Sequence, residues 1–159
     1  MVQITLITVG TLKERYLTEA VAEYKKRLSQ FARVDEISIP EERIADEENE
    51  TQIKGALERE ADKILAALKR DAYKLALCVE GRQYSSPELA ELLRGGADRC
   101  GKIALVIGSS HGLSERVKAA CDERLSFSRL TFPHQLMRVI LLEATYRAFT
   151  IIHGKKYHK

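Results

Sequence analysis

The segment Lys102-Ile-Ala-Leu-Val-Ile-Gly-Ser-Ser-His-Gly-Leu113 joins a short apolar run to a loop of small and polar residues. Residues 103–107 are apolar without interruption, which is typical of a strand covered on both faces of a sheet. After the loop, Ser114 is suited to cap a helix that runs through Cys121. This order of buried strand, loop and helix predicts an α/β fold with a mostly parallel sheet flanked by helices.

The same alternation extends towards the N-terminus. Residues 2–9, 34–39 and 74–79 are rich in β-branched and apolar side chains and predict three more strands. Apolar residues at helical spacing predict helices over residues 17–31 and 53–68, between those strands.

A third helix is predicted after the strand at 74–79. Ser86-Pro87-Glu88 is typical of a helix start with Ser86 as N-cap, and Gly95-Gly96 predicts the end. Residues 125–133 are polar and aromatic, and this stretch is too short for a full strand and helix.

The composition predicts one folded domain over residues 1–159, with 45% apolar and 31% charged residues. Apolar runs such as residues 75–79 are far shorter than the roughly 18 residues of a membrane span, and the N-terminus lacks a secretory pattern. We therefore expect a cytoplasmic protein with no membrane partner. The three cysteines are an odd number without close spacing, so we expect reduced thiols.

Charge is unevenly distributed along the chain. Residues 125–159 contain six Lys or Arg residues against one Glu, whereas the whole chain carries a net charge of +3. A basic C-terminal segment suits a polyanion such as RNA, but it is equally typical of a solvated tail.

The last predicted helix, from Pro133 to about residue 149, is apolar around nearly its whole circumference. Such a helix must be buried on more than one side, which predicts a partner subunit and therefore a homodimer. A charge at Ile140 or Leu141 is then expected to produce monomers.

Three predicted loops, at residues 79–81, 108–112 and 125–133, follow strands and contain glycine or polar residues. Ligands bind beyond the carboxyl ends of parallel strands, so these loops together predict a binding site, although each alone is also typical of a plain turn. The glycine-rich signatures of dinucleotide and nucleoside triphosphate sites are absent. No Cys-x-x-Cys occurs either, and no metal site is expected. Ser109 or Ser110 beside His111 is a weaker hypothesis for a hydrolytic nucleophile.

Four segments resemble a known family: residues 105–113, residues 125–139, Glu143-Ala-Thr-Tyr-Arg147 and Tyr157-His-Lys159. They are similar to the RlmH family, SPOUT-class methyltransferases of the bacterial large-subunit ribosomal RNA. Together with residues 4–10 and 24–28 the resemblance covers essentially the whole chain. Ser109 departs from it, because the family commonly has a second glycine there.

The resemblance implies a homodimer with a C-terminal trefoil knot that methylates N3 of a pseudouridine in 23S ribosomal RNA within the assembled ribosome. It also implies S-adenosyl-L-methionine as cofactor, bound among three loops. The implied cofactor-binding residues are Leu77, Gly108, Phe127, Ser128, Arg129, Leu130, Thr131 and Phe132. Leu77 and Phe132 are also consistent with a purely structural role in the core.

Removing the N3 proton requires a base or a cation that stabilises the anion, and the candidates are His134, Arg138, Tyr157 and His158. His134 and Arg138 share one face of the last helix, and the resemblance places the tail with Tyr157 and His158 at the active site of the dimer. Arg147, Lys155 and Lys156 are the candidates for RNA phosphates. The alternatives are a satisfied residue at the start of the helix for His134 and a disordered end for the tail.

Two rival functions remain at this level. One is a non-catalytic RNA-binding or ribosome-associated factor that uses the same basic tail. The other is a transfer-RNA methyltransferase of the same class, which differs in substrate.

Overall fold

Strands and helices alternate strictly in a computed structural model that describes all residues, 1–159. The elements are β1 (Val2–Val9), α1 (Arg15–Leu28), β2 (Ala32–Ile39), α2 (Glu50–Ala67), β3 (Tyr73–Gln83), α3 (Ser86–Cys100), β4 (Lys102–Ile107), α4 (Glu115–Ala120), β5 (Glu123–Ser126) and α5 (His134–Ile152). The five strands form one sheet in the order β2-β1-β4-β3-β5, and all neighbouring pairs are parallel. The predicted α/β fold class with a parallel sheet is confirmed.

The sheet is buried on both faces, which explains the continuous apolar runs. Leu6 of β1 and Leu105 of β4 belong to the larger core cluster, which α1, α3 and α5 complete. Their neighbours Ile7 and Val106 point into a second cluster with residues of α2 and α4. Three helices therefore cover one face of the sheet and two cover the other.

The stretch at residues 125–133 contains part of a short strand that the sequence did not reveal. β5 lies at the edge of the sheet and pairs with β3, with Leu75 opposite Glu123 and Leu77 opposite Leu125. Only four residues long, β5 offers too little periodicity to stand out in the sequence.

The sequence predicted that this strand ends at Val79, but β3 continues beyond a bulge to Gln83. Leu77 and Arg82 both pair with Leu125, so the residues between them leave the ladder. A Cβ atom on Gly81 would lie 2.7 Å from the backbone of Arg124, so the return into the ladder requires glycine. Residues 78–81 of the bulge therefore have no pairing partner on β5.

The predicted boundaries of α3 were wrong at both ends. Ser85, not Ser86, is the N-cap, and it forms a capping box with Glu88. The helix then passes through Gly95 and Gly96 and stops only at Gly101, whose φ of 65° is left-handed. Gly96 is buried against the ring of Tyr73, and a Cβ atom there would lie 2.3 Å from a ring carbon, so its glycine serves close packing rather than termination.

α5 packs beside α1 and α3 and buries one side of its circumference within the same chain. Leu141 is only 1% exposed and belongs to the core, so a charge there would disrupt the fold itself. Ile140 is half-buried. The two positions proposed to report on dimer formation are therefore not equivalent, and only Ile140 can serve.

None of the helices combines the length and the apolarity that crossing a membrane would require.

Candidate active site

A cavity of about 350 Å³ lies at the carboxyl edge of the sheet, where β3, β4 and β5 end. All three of the loops that follow these strands contribute to its walls. The lining residues that the resemblance also implied for the cofactor are Leu77, Gly108, Phe127, Ser128, Leu130, Thr131 and Phe132. Arg129 lies in the same segment but does not line the cavity. The volume falls in the range of sites for small organic ligands.

The loop after β4 folds back sharply on itself. Gly112 donates its N–H to the Ser109 carbonyl at 2.9 Å and has a φ of +86°. A Cβ atom on Gly108 would lie 2.2 Å from the Gly112 carbonyl oxygen, so this turn is incompatible with any side chain at position 108. The loop can thus present its backbone directly to a ligand.

Ser109, where the family commonly has glycine, is accommodated beneath the loop. Its side chain is buried, and its Oγ accepts the N–H of His111 at 3.3 Å. The hydroxyl therefore adds a hydrogen bond within the turn, and Ser109 is one of the residues that line the cavity.

The segment after β5 is a second irregular loop with internal hydrogen bonds. The Ser126 hydroxyl donates to the Ser128 carbonyl at 3.1 Å, and the Ser128 Oγ accepts the N–H of Leu130 at 3.0 Å. Leu77 and Met137 also line the cavity and add apolar side chains to its walls. Such walls suit the flat faces of a heterocyclic base.

His134 is the first residue of α5 and lines the cavity beside Phe132 and Met137. Burial lowers the pKa of its imidazole below the ordinary value, and the charges of Arg138 and Lys13 lower it further, against the opposing effect of Glu41. The ring is therefore neutral at pH 7, and a neutral imidazole nitrogen can accept a proton.

Arg138 lies one turn further along α5 but points away from the cavity. Its side chain is buried, and Nη2 donates to the carbonyl oxygens of Val9 at 3.3 Å and Gly10 at 2.7 Å. Its Nε has no hydrogen-bond partner. In this chain the guanidinium ties α5 to the end of β1 and does not join His134 at the site.

The C-terminal tail folds back along α5. The Tyr157 hydroxyl donates to Glu143 Oε1 at 3.1 Å, and its ring lies under the Arg147 guanidinium at 4.7 Å. Tyr146 meets the same ring edge-on at 4.8 Å. Glu143 and Arg147 form an ion pair one helical turn apart, with Arg147 Nη2 2.5 Å from Glu143 Oε1.

This arrangement separates the tail from the cavity of its own chain. Glu143 follows His134 by nine residues, which is about 14 Å along a helix axis. Tyr157 is not among the residues lining the cavity, and Lys155, Lys156 and His158 are exposed and likewise absent from it. Of the four candidate catalytic residues, one chain brings only His134 to the cavity.

Two charged residues of the cavity wall had not been recognised from the sequence. Lys118 of α4 and Glu80 of the β3 bulge both line it, and the Lys118 ammonium donates a hydrogen bond to the Glu80 carboxylate. The only sequence signal was their position, since Glu80 lies within the predicted loop at residues 79–81 and Lys118 follows the loop at residues 108–112. That signal did not distinguish them from the many other charged residues of the chain.

Comparison with known proteins supports the same conclusion about the fold and extends it. A family profile described as "Predicted SPOUT methyltransferase" matches residues 2–158. A protein of Caldicellulosiruptor bescii named ribosomal RNA large subunit methyltransferase H is 49% identical over 98% of this chain and 99% of its own length. Proteins of the same name from Bacillus pumilus and Listeria monocytogenes are each 45% identical, with the same coverage.

Two solved structures share the fold at low sequence identity. A probable methyltransferase from Bordetella pertussis superposes with a TM-score of 0.60 and 18% identity over 92% of this chain and 93% of its own. A ribosomal RNA small subunit methyltransferase E from Neisseria gonorrhoeae, solved with S-adenosyl methionine bound, superposes with a TM-score of 0.55. Its sequence identity is 11%, and the superposition covers 91% of this chain and 65% of its own. The resemblance found in the sequence is confirmed: this chain belongs to the SPOUT methyltransferase family, together with the relatives named ribosomal RNA large subunit methyltransferase H.

Proposed function

We propose that this protein methylates N3 of a pseudouridine in 23S ribosomal RNA, using S-adenosyl-L-methionine, and that it acts in the cytoplasm on the assembled ribosome. The observation that carries the proposal is the cavity formed by three strand-end loops in a chain 45–49% identical to large-subunit ribosomal RNA methyltransferases. A factor that only binds RNA has no need of such a cavity.

The residues of the cavity fit the proposed cofactor. Its volume of about 350 Å³ suits a molecule of this size, and its apolar walls, with Leu77 and Phe132, suit adenine. The backbone of the loop at Gly108 and of residues 127–132 would hold the nucleoside through hydrogen bonds. When bound, S-adenosyl-L-methionine supplies an activated methyl group on a positively charged sulfur.

The chain's own contribution is mainly to hold the reacting groups in line. Methylation of N3 also requires that the proton of N3 leave the base. His134, which lines the cavity and is neutral at pH 7, is suited to accept that proton. The imidazole then returns it to solvent.

The remaining groups would come from a second subunit. Leu136, which is 36% exposed, and the half-buried Ile140 are apolar residues of α5 that do not belong to the core of the single chain, and they suit a homodimer interface. Because Tyr157 lies away from its own cavity, we propose that the tail of one subunit serves the cavity of the other. There Tyr157 and His158 would orient the target base.

RNA binding would use the basic C-terminal segment. Lys155 and Lys156 are exposed and free to meet phosphates, whereas Arg147 is held by Glu143 and would contribute one side of its guanidinium. Arg138, which is buried, would act through the position of His134. We further propose one domain over residues 1–159 whose C-terminal third is threaded as a trefoil knot, consistent with the return of α5 across the sheet.

The test is methyl transfer from labelled S-adenosyl-L-methionine to ribosomes that lack the modification, beside free large subunits, naked ribosomal RNA and transfer RNA. Label is expected only in the large-subunit RNA of assembled ribosomes, and only when the pseudouridine is present. Label on transfer RNA would favour the rival enzyme, and no label on any substrate would favour a non-catalytic factor. Deleting residues 155–159 is expected to abolish transfer while leaving cofactor affinity intact.

A further inference from the structure

The cavity has one charged feature, and it is a pair of opposite sign. Among all the lining residues, only Glu80 and Lys118 carry a formal charge at pH 7 when histidines are neutral. The two side chains come from different elements and meet through a hydrogen bond from the ammonium to the carboxylate. The rest of the lining is apolar or neutral, so this pair provides the only formal charges that the wall presents to a ligand.

The pair is unequally buried. The Lys118 side chain is 12% exposed, whereas that of Glu80 is 54% exposed. Burial is the largest single effect and disfavours the ammonium, but the hydrogen bond to Glu80 and the charges of Glu80 and Glu115 together outweigh it, so the pKa of Lys118 is raised and the residue stays charged. Glu115, the other carboxylate near Lys118, lies 3.4 Å away with a 74% exposed side chain.

A surface ion pair contributes little to folding, so this pair is a weak clamp for α4. Its place in the cavity wall suggests a second role. The proposed cofactor ends in an amino acid, which carries one carboxylate and one ammonium and must be desolvated on binding. A wall that presents a cation and an anion side by side matches such a zwitterion charge for charge.

We propose that Lys118 and Glu80 recognise the amino-acid end of the cofactor, Lys118 binding its carboxylate and Glu80 its ammonium. This inference rests on the proposed function and adds two specificity-determining residues to it. The nucleoside end then occupies the neutral part of the cavity, beside Leu77 and Phe132. In the free protein the two side chains satisfy each other.

The experiment compares two ligands that share the adenosine but differ at the amino-acid end. S-adenosylhomocysteine keeps both charges, whereas 5′-methylthioadenosine lacks the amino acid altogether. Affinities are measured by calorimetry for the full-length protein and for Lys118→Met, Lys118→Arg and Glu80→Gln. Lys102→Met is the matched control, because Lys102 forms an ion pair with Asp71 at the opposite end of β4.

Lys118→Met is expected to lower the affinity for S-adenosylhomocysteine about tenfold or more. The affinity for 5′-methylthioadenosine should change less than about twofold. Lys118→Arg keeps the positive charge and should retain most of the preference for S-adenosylhomocysteine over 5′-methylthioadenosine. Glu80→Gln should lower the affinity for S-adenosylhomocysteine only. The Lys102 variant should bind both ligands as the natural protein does.

Equal losses for both ligands in Lys118→Met would mean that the pair merely supports the cavity, and unchanged affinities would mean that it contacts no ligand. Either result overturns this inference and leaves the proposed function standing. If the natural protein binds neither ligand, the proposed function fails and this inference fails with it.

Discussion

Glu60 is a carboxylate of α2 that lies buried beneath the loop at residues 108–112, with only 3% of its surface exposed. It accepts the backbone N–H of Glu42 at 2.9 Å, and the Ser109 hydroxyl interacts with it from the loop. Burial raises the pKa of Glu60 above the ordinary 4.5, and the charge of Glu41 adds to the effect. The position therefore connects the acidic loop after β2 with the site.

The raised pKa predicts a pH-dependent loss of stability. The contribution of Glu60 to the stability of the folded protein is complete below about pH 4.5, the ordinary pKa of a Glu side chain. It is lost as the pH rises through the higher pKa of the folded state, because the buried carboxyl group must then ionise. Glu60→Gln avoids that ionisation and keeps an oxygen that can accept the backbone N–H of Glu42. Urea midpoints should thus be higher for Glu60→Gln than for the natural protein at pH 7 to 8 and converge near pH 4.

Glu58, two residues earlier, is the internal control. The Ser114 hydroxyl and Arg116 lower its pKa, so its contribution is present above the ordinary value and is lost as the pH falls. Glu58→Gln should therefore destabilise at neutral pH. If Glu60→Gln behaved like Glu58→Gln, the raised pKa of Glu60 would be refuted.

The role proposed for His134 predicts a pH dependence of the methyl-transfer reaction. If its neutral ring accepts the N3 proton, kcat/KM should fall as the pH drops through its lowered pKa, below the ordinary 6.5. His134→Gln should reduce kcat strongly and remove this acidic limb, with little change in affinity for S-adenosylhomocysteine. A variant that keeps both the rate and the pH profile would exclude His134 as the proton acceptor.

Among the helices, α3 contains two adjacent glycines whose replacement by alanine should have opposite effects on stability, one through packing and the other through helix propensity. Gly96→Ala places a methyl group against the Tyr73 ring and should destabilise the protein by about 1–3 kcal/mol. Gly95 has open space around its Cβ direction, so Gly95→Ala should stabilise by about 0.5–1 kcal/mol. Chemical denaturation measures the change in the free energy of unfolding for each variant. Changes of the same sign would contradict the packing of Gly96 against Tyr73.

The same glycines show why sequence reasoning reached the elements but not all of their ends. A Gly-Gly pair is a common stop signal, and only the position of Tyr73 on β3 explains why the helix continues. The β3 bulge is similar, because it depends on how close Gly81 comes to Arg124 on a strand the sequence did not reveal. Burial periodicity is local and was predicted well, whereas contacts between distant segments are not encoded in it.

The candidate site divides in the same way. Parallel strands bring their carboxyl ends together, so the loops with Gly108 and Phe132 could be predicted to meet. Lys118 was missed because its importance follows from the partner it meets, Glu80, and not from any motif. The burial of Arg138 on the end of β1 was likewise invisible in its helical spacing from His134.

For the whole molecule, the outward face of α5 predicts a dimer that one charge can break. Ile140→Glu should yield a folded monomer by sedimentation, because the side chain is half-buried in the single chain and is expected to be covered by the partner. Thr51→Glu adds the same charge on the opposite face of the sheet, where it is exposed, and should leave the dimer intact. A folded Ile140→Glu protein that sediments as a dimer would place the interface elsewhere.

Each proposed active site combines the cavity of one subunit with the tail of the other, and mixing two inactive variants tests this arrangement. Gly108→Ala distorts the cavity, and deletion of residues 155–159 removes the tail. Random exchange of an equal mixture makes half of the dimers mixed, each with one complete site, so about a quarter of the natural rate of methyl transfer should return. A mixture that exchanges subunits but stays inactive, or a tail-deleted protein that is active alone, would show that the active sites are not shared between subunits.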